Sequence, residues 1–319
     1  MAAELTYHDH ARDLNRELRA AISKERLTDL HQRRPWRHFW IAFRQIALLV
    51  GLPVWIYHLD SFWAWFPASV LLGFVIFSFS VLLHESVHRC IFRKKHRLND
   101  LLGLVYGWIS GLASSQFKRW HLDHHDHLGS LQADPKRAHL SPRINSPWFK
   151  LLYCTPMLFP IYFRAVAETF KGYPEQLCRQ IKRERTLGII LHLGILTWFW
   201  TLDPWFAFKA HLFPVFFIFP IAFTVNRLGQ HYVINPDEIA NWTTLMRSNW
   251  IWNFLYLFST YHLEHHYFPG VPFYNLRKLQ KELEPFFQRK QMVFFSYSQV
   301  LYLWFIKNHA PHTQSDIII

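Results

Sequence analysis

Four long apolar runs dominate the hydropathy pattern of the chain. They cover residues 39–59, 62–83, 186–202 and 210–225. Each approaches or exceeds the ~20 residues that a helix needs to cross the hydrocarbon core of a bilayer. Short links join the first run to the second and the third to the fourth. The pattern therefore predicts an all-α integral membrane protein with four transmembrane helices in two hairpins.

Two further apolar stretches do not have the composition of a membrane span. Residues 101–117 contain three glycines and three serines, and residues 148–170 contain two prolines together with Lys150 and Arg164. Glycine and proline interrupt helices, and charged side chains inside a bilayer are costly. We therefore expect both stretches to lie at the cytoplasmic interface, where they help to form a helical cap.

The two ends of the chain are expected to belong to the same single domain, residues 1–319. Apolar residues recur at helical spacing among the charges near the start: Leu14, Leu18, Ala21 and Ile22. Residues 1–37 are therefore an amphipathic segment that either lies on the membrane surface or caps the domain as a solvated helix. Residues 280–319 are expected to be cytoplasmic or interfacial. The charged start lacks an apolar h-region, so we expect no cleavable signal peptide.

The positive charge of the chain is concentrated beside the predicted spans. The formal net charge is +13, and cations precede the first span, follow the second and lead into the third. The turn between the first two spans, Asp60 and Ser61, carries none. This arrangement indicates a membrane protein rather than a nucleic-acid-binding protein, with its cationic ends in the cytoplasm. Lys209 is the exception, because it falls near the outer end of the fourth span, where we expect its side chain to extend to the interface.

Histidine is over-represented and clustered. The chain has 21 histidines, and eight of them fall in one HxxxH block and two HxxHH blocks: His84, His88, His121, His124, His125, His262, His265 and His266. At this histidine frequency, chance supplies about 0.1 HxxHH patterns in a chain of this length. Residues three and four apart share one face of a helix, so each block presents several imidazoles in the same direction. That is an arrangement typical of metal ligands.

The number of imidazoles predicts more than one metal ion. A single zinc ion uses at most four protein ligands, so eight donors imply two metals, and nitrogen donors suit iron, copper or zinc. His231, just past the fourth span, is a ninth candidate, with an interfacial helix cap as its alternative role. In the predicted topology all nine lie on one side of the membrane, provided that residues 101–117 and 148–170 do not cross it.

Acidic and sulfur-containing residues are expected to have secondary roles. Glu85, Asp123 and Glu264 lie inside the blocks, and we expect them to orient the imidazoles rather than to bind metal. The three cysteines form no CxxC pair, so we expect free thiols: Cys90, Cys154 and Cys178. His192 and His211 lie well inside the third and fourth spans, and neither has a clustered partner in the sequence.

With its three blocks the sequence resembles the membrane fatty acid desaturase superfamily, whose signature is HxxxH, HxxHH and HxxHH. The flanking segments RLNDLLGL, WHLDHHDHLGS to ADP, and RSNWIWNFLYLFSTYHLEHHYFPGVPFYNLRKL are also similar, so the resemblance covers roughly residues 80–280. It implies a site of two non-haem irons held by the eight block histidines, with His231 as the ninth ligand. It also implies that O₂ is a co-substrate and that an asparagine upstream of the ninth histidine holds a metal-bound water. Asn226 is in that region, but at a different offset.

The resemblance implies oxidation of an unactivated C–H bond in a lipid, with electrons from an external donor. No HPGG-like haem segment occurs, so a separate ferredoxin or cytochrome of the b5 type is expected. The leading hypothesis is a fatty acyl desaturase. The first block reads HESVH, where many acyl desaturases have aspartate in second place, so a lipid or carotenoid hydroxylase or ketolase remains an alternative.

A metal transporter is a further alternative, which the sequence disfavours. Transporters usually place their polar residues near the bilayer midplane within broken spans, whereas the histidine blocks here lie outside the spans. The expected location is a bacterial inner membrane or the endoplasmic reticulum, with the site on the cytoplasmic face.

Overall fold

The computed structural model describes residues 6–313 as a helical protein. The first helices are α1 (Tyr7–His10), α2 (Arg12–Ala21), α3 (Lys24–Leu30), α4 (Pro35–Tyr57), α5 (Phe62–Val87), α6 (His96–Ile109), α7 (Ser114–Asp126), α8 (Pro135–Leu140) and α9 (Pro147–Leu151). They are followed by α10 (Leu158–Phe170), α11 (Glu175–Leu202), α12 (Pro204–Ala207), α13 (Phe219–His231), α14 (Trp250–Leu255), α15 (His262–Tyr267), α16 (Phe273–Arg289) and α17 (Tyr297–Leu301). The extreme ends of the two terminal segments, residues 1–5 and 314–319, lie outside the described residues.

Four helical segments are long and apolar enough to cross a membrane, as predicted. They are Lys24–Tyr57, Phe62–Val87, Glu175–Leu202 and Pro204–His231. Residues 6–313 form no β-sheet, and a single parallel bridge joins Met246 to Phe295. The predicted fold class is therefore confirmed: the chain is an all-helical, multi-pass membrane protein.

Helix α5 is the central span. Most of its residues are buried, whereas α11 exposes apolar side chains such as Leu187, Ile190 and Leu193, which suit contact with lipid. Gly73 lets α5 approach the fourth span closely, because a Cβ at this position would overlap the side chain of Ile218. The histidines at the end of α5 are therefore held by the best-packed element of the bundle.

The fourth span contains wide helical turns. After α12 the backbone follows two π-helical segments, Phe208–Leu212 and Pro214–Ile218, before α13 begins. Proline has no N–H to donate, so Pro214 cannot continue a regular ladder. The side chain of Lys209 reaches the turn between α4 and α5, at the predicted outer end of the bundle. Its ammonium donates to the carbonyl oxygen of Leu59 at 2.7 Å, so it caps the chain after α4.

Neither of the two interrupted apolar stretches is a candidate span. Residues 101–117 divide between α6 and α7, and Gly111 with φ +72° forms the turn between them. Residues 148–170 divide among the end of α9, a 3₁₀ turn at Leu152–Cys154 and α10. Lys150 is fully buried and donates to two carbonyl oxygens and the Asn308 side chain of the C-terminal segment. This lysine therefore joins two parts of the protein instead of facing solvent.

The amphipathic N-terminal helix packs on protein. Leu14 and Leu18 of α2 are buried, and α2 contacts α16. Arg26 of α3 adds an ion pair to Glu282 of α16 at 2.7 Å. The apolar face of α2 is covered by the domain, which supports the capping role over insertion into the membrane surface. All three cysteines are free thiols, as predicted.

Candidate metal centre

Four elements bring the nine predicted histidines to one end of the helical bundle. His84 lies in the last turn of α5, and His88 directly follows this helix. His231 is the last residue of α13. Helices α7 and α15 supply the members of the two HxxHH blocks. Because α5 and α13 both end here, their C-terminal ends must lie on the same side of the membrane.

The nine imidazoles form two groups. In each group, one nitrogen from every histidine lies within 4.8 Å of the corresponding atom of all the others. Cluster A consists of His84, His88, His121, His125 and His265. Cluster B consists of His124, His231, His262 and His266.

The spacing of the nitrogens fits a shared metal ion. In cluster A the contacts between Nε2 atoms are His84–His265 at 3.0 Å, His88–His121 at 2.7 Å, His125–His121 at 3.0 Å and His265–His125 at 3.1 Å. In cluster B they are His124–His231 at 3.0 Å, His262–His231 at 2.9 Å and His266–His262 at 3.1 Å. Two nitrogens that bind one ion at ~2.1 Å and at right angles are about 3 Å apart. The donor sets of both clusters therefore fit metal ions.

Each HxxHH block contributes to both clusters. His121 and His125 belong to cluster A, whereas His124 between them belongs to cluster B. In α15 the assignment is reversed, because His262 and His266 belong to cluster B and His265 to cluster A. On an α-helix the first and fifth positions lie about 40° apart, while the fourth is rotated by about 100° from the fifth. Helical phase thus divides each block between two neighbouring sites.

Burial keeps the block imidazoles of α7 and α15 neutral. Desolvation lowers their pKa well below 6.5, and nearby cationic or histidine groups lower it further. This holds for His121, His124, His125, His262, His265 and His266. A neutral imidazole has one nitrogen with a free lone pair, which is the form that binds a cation.

A buried carboxylate that the sequence analysis missed orients His124. Asp134 Oδ1 lies 2.9 Å from His124 Nδ1, and the same oxygen caps α8 by accepting from the backbone N–H of Lys136. Because Nδ1–H donates to the carboxylate, the Nε2 lone pair points into cluster B. The sequence held one signal for this residue, since an aspartate directly before a proline is a typical helix cap.

The three acids inside the blocks behave differently from one another. Asp123 pairs with Arg119 at 2.9 Å, and Glu264 accepts from the Gln280 amide at 2.7 Å, while burial raises the pKa of Glu264 to about 7. The expectation that these two orient imidazoles is wrong. Glu85 lies nearest to an imidazole, but its carboxylate oxygen is 3.7 Å from His84 Nδ1, beyond hydrogen-bond length, and its other oxygen accepts from the N–H of Phe273.

A cavity of about 110 Å³ adjoins both clusters. Histidines from both clusters line it, and Phe77, Val81 and Leu112 are among its apolar lining residues. Asn226 also lies in its wall, but its amide nitrogen donates to Ser259 and its oxygen accepts from Gln230. Asn226 is not part of either cluster.

His192 and His211 are neighbours, contrary to the expectation from sequence. Their ring centroids are 5.4 Å apart, although they come from different spans. His192 Nε2 donates to the carbonyl oxygen of Trp108 at 3.0 Å, so this ring nitrogen has a hydrogen-bond partner. Both residues line a separate apolar cavity and belong to neither cluster.

Comparison with known proteins identifies similar sequences. The family model described as fatty acid desaturase matches residues 60–298. The chain is 23% identical to an acyl-lipid 8-desaturase of Rebecca salina over 65% of its own length and 54% of that protein. It is 26% identical to the sphingolipid delta(4)-desaturase/C4-monooxygenase DES2 of Homo sapiens, covering 69% of the chain and 66% of that protein. It is 25% identical to a sphingolipid delta(4)-desaturase DES1-like protein of Oryza sativa subsp. japonica, over 83% of the chain and 78% of that protein. The chain thus spans from about half to three quarters of the length of these three relatives.

Proposed function

The chain belongs to the fatty acid desaturase family, and from this premise we propose that it is a membrane-bound, O₂-dependent desaturase that introduces a C=C bond into the acyl chain of a lipid. The observation that carries the proposal is the convergence of nine imidazoles into two adjacent clusters beside one cavity. A lone structural metal would need about four ligands and no cavity.

We propose that clusters A and B each hold one non-haem iron. A pair of irons, when bound, supplies the oxidising power that breaks a methylene C–H bond with O₂, which no side chain can do. Residues of this chain provide the remaining requirements. The imidazoles keep their lone pairs free because they are buried and neutral, and Asp134 fixes the tautomer of His124.

The cavity suits a lipid chain. Phe77, Val81 and Leu112 form part of an apolar wall that can bury methylene groups next to the histidines. The same wall excludes bulk water from the reacting carbon, which limits side reactions of a strong oxidant. The substrate is therefore proposed to be a lipid with a saturated acyl chain.

The distribution of charge supports the proposed orientation. Cations follow α5 at Arg89, Arg93 and Lys94, directly beyond the His84–His88 block. Short cationic loops remain in the cytoplasm, so we propose that the histidine end faces the cytoplasm of a bacterial inner membrane or endoplasmic reticulum. A ferredoxin or a cytochrome of the b5 type is proposed to deliver electrons on this side.

Hydroxylation is the second candidate reaction. The human relative carries both a desaturase and a monooxygenase activity in its name, and Glu85 is a departure from the aspartate of many acyl desaturases. Loss of two hydrogens from the lipid identifies desaturation, whereas gain of one oxygen identifies hydroxylation. Mass spectrometry of lipids from expressing cells separates these outcomes.

Substitution of a cluster A histidine tests the proposed function. The chain should be expressed in a host that lacks polyunsaturated lipids, followed by fatty acid profiling, localisation of double bonds and iron analysis of the purified protein. His265→Ala should lose both iron and lipid product. His127→Ala is the matched control, because His127 follows the second block but belongs to neither cluster, and it should keep both. Metal flux without a lipid product would instead identify a transporter.

A further inference from the structure

One corner of the cavity beside the clusters contains hydrogen-bond donors without acceptors. Trp120 Nε1 and Arg227 Nη1 are buried and have no partner within residues 6–313, and both residues line this cavity. Lys136 also lines this cavity, and its ammonium nitrogen lies 3.2 Å from His121 Nδ1. We call Trp120, Lys136 and Arg227 the donor corner.

The three residues are linked although they come from three helices. Trp120 of α7 directly precedes His121, whose ring Lys136 contacts. Arg227 of α13 donates from Nη2 to the backbone oxygen of Lys136 at 2.9 Å. Arg227 therefore connects the start of α8 to the helix that ends in His231 of cluster B. The donor corner lies directly beside the histidines of both clusters.

The unpaired donors of this corner need an oxygen atom as a hydrogen-bond acceptor. A buried N–H without an acceptor is costly, and a buried cation without a carboxylate more so. Arg227 and Lys136 form no ion pair in the described part of the chain, and Oδ1 of the buried Asp134 already accepts from His124 Nδ1 and from the backbone N–H groups of Lys136 and Arg137. An acyl chain made only of methylenes cannot satisfy these donors, whereas a carbonyl or carboxylate group can.

We propose that the donor corner binds the oxygen-bearing end of the lipid substrate, an amide or ester carbonyl or a carboxylate, and so selects lipids that are oxidised close to that end. Lys136 Nζ lies within hydrogen-bonding distance of a cluster A imidazole. An oxygen held there leaves room for only a few carbon–carbon bonds before the chain reaches the clusters. This inference rests on the proposed function and adds the substrate class to it.

Two substitutions remove the unpaired donors. Trp120→Phe deletes Nε1–H, keeps an aromatic ring and removes no protein hydrogen bond. Arg227→Met deletes the guanidinium and keeps an apolar stem, but it also removes the Nη2 hydrogen bond to the Lys136 carbonyl oxygen, so Trp120→Phe is the cleaner test. Trp108→Phe is the matched control, because Trp108 Nε1 donates to the backbone oxygen of Glu184 at 3.1 Å and this residue does not line the cavity. The iron-loaded full chain in phosphatidylcholine nanodiscs should be titrated with radiolabelled N-acyl sphinganine and, separately, with palmitic acid.

The expected results distinguish a loss of lipid binding from a loss of protein stability. Trp120→Phe should weaken binding of the preferred probe by about tenfold, and its melting temperature should stay equal to that of the wild type or rise. Trp108→Phe should bind both probes as the wild type does and melt at a lower temperature. Preference for N-acyl sphinganine identifies an amide-linked head, and preference for palmitic acid identifies a carboxylate. New double bonds in the product should lie within a few carbons of the oxygen-bearing end.

Two results would overturn the inference. One is that Trp120→Phe and Arg227→Met bind both probes with wild-type affinity, and the other is that the double bonds form in the middle of the acyl chain. Either result leaves the proposed function intact, provided that the wild type contains iron and makes the product. Absence of both iron and product from the wild type would instead refute the proposed function.

Discussion

Asp134 illustrates how a single carboxylate determines the chemistry of a neighbouring imidazole. Its Oδ1 accepts from His124 Nδ1 and from two backbone N–H groups at the start of α8. The position of the carboxylate is therefore fixed before any metal binds. A carboxylate held in this way increases the basicity of the opposite ring nitrogen and fixes the ring.

Asp134→Asn should weaken metal binding at cluster B. The amide oxygen can still cap α8, so the fold should be kept, but the negative charge beside His124 is lost. We expect iron affinity to fall by about 10- to 100-fold, measured as iron retained against a series of chelator concentrations. Asp123→Asn is the control, because Asp123 pairs with Arg119 at the surface and should retain wild-type affinity. Equal iron loss in both variants would contradict the assigned role of Asp134.

The metal-free protein should become less stable as the pH falls below about 6.5. In the unfolded chain the six block imidazoles of α7 and α15 bind protons near pH 6.5, whereas burial keeps their folded pKa well below that value. The unfolded state therefore gains protons that the folded state cannot accept, and the free energy of unfolding decreases with falling pH. Above about pH 7.5 these groups should contribute no slope. Melting temperatures of chelator-treated protein from about pH 8 to 5 check this, and a flat profile below 6.5 would contradict it.

Iron should add stability at each pH without removing the dependence on acid, because the imidazoles of the unfolded chain still bind protons. Metal binding requires the neutral imidazole, so bound ions compete with protons and stabilise the folded state. At neutral pH the iron-loaded protein should melt at a higher temperature than the chelator-treated protein.

At the scale of elements, the close approach of α5 to the fourth span depends on one glycine. A Cβ at position 73 would overlap the branched carbon of Ile218 and come within 3.0 Å of the Pro214 carbonyl oxygen. Neither group can move without displacing the backbone of the fourth span. This contact therefore holds two of the elements that carry histidines at a fixed separation.

Gly73→Ala and Gly51→Ala should have opposite effects. The first should lower the melting temperature, because an overpacked helix contact typically costs about 1–3 kcal/mol. The second lies in α4, where a Cβ meets nothing within 4 Å, and alanine should stabilise the helix by about 0.5–1 kcal/mol. Thermal unfolding in detergent measures both. A neutral Gly73→Ala would show that the spans separate easily at this position.

Sequence patterns predicted the helices better than the side-chain contacts between them. The spacing of apolar residues located the four spans, and helical spacing located the histidines that converge. Asp134 was missed because it belongs to a loop whose return to α7 depends on tertiary packing. The pairing of His192 with His211 was missed for the same reason, since the two residues lie in different spans and their contact depends on the rotation of each helix. The charge of Lys209 was visible in the sequence, but the carbonyl oxygen that it caps was not.

At the scale of the whole molecule, the positions of the cations predict which end faces the cytoplasm. The turn at Asp60 and Ser61 lies at the opposite end of α5 from His84. If the histidine end is cytoplasmic, this turn lies on the outer side of the inner membrane in a bacterial host. The three native cysteines are free thiols, and Cys90 is buried.

Thiol labelling of intact bacterial cells tests this orientation. A membrane-impermeant reagent should label Ser61→Cys in intact cells, because Ser61 is exposed at the outer turn. Lys94→Cys should be labelled only after permeabilisation, and the wild type serves as the background for native thiols. Labelling of Lys94→Cys but not Ser61→Cys in intact cells would reverse the proposed topology.

The division of each HxxHH block between clusters A and B limits how such a protein can change during evolution. Deleting α15 would take two nitrogens from one site and one from the other. Inserting a residue within a block would turn its later histidines by about 100°, away from the sites that they now serve. A substitution of His84 or His88, by contrast, removes a nitrogen from cluster A alone. A shift of α7 or α15 should therefore disturb both clusters together, even though the histidines that form them are spread over most of the chain.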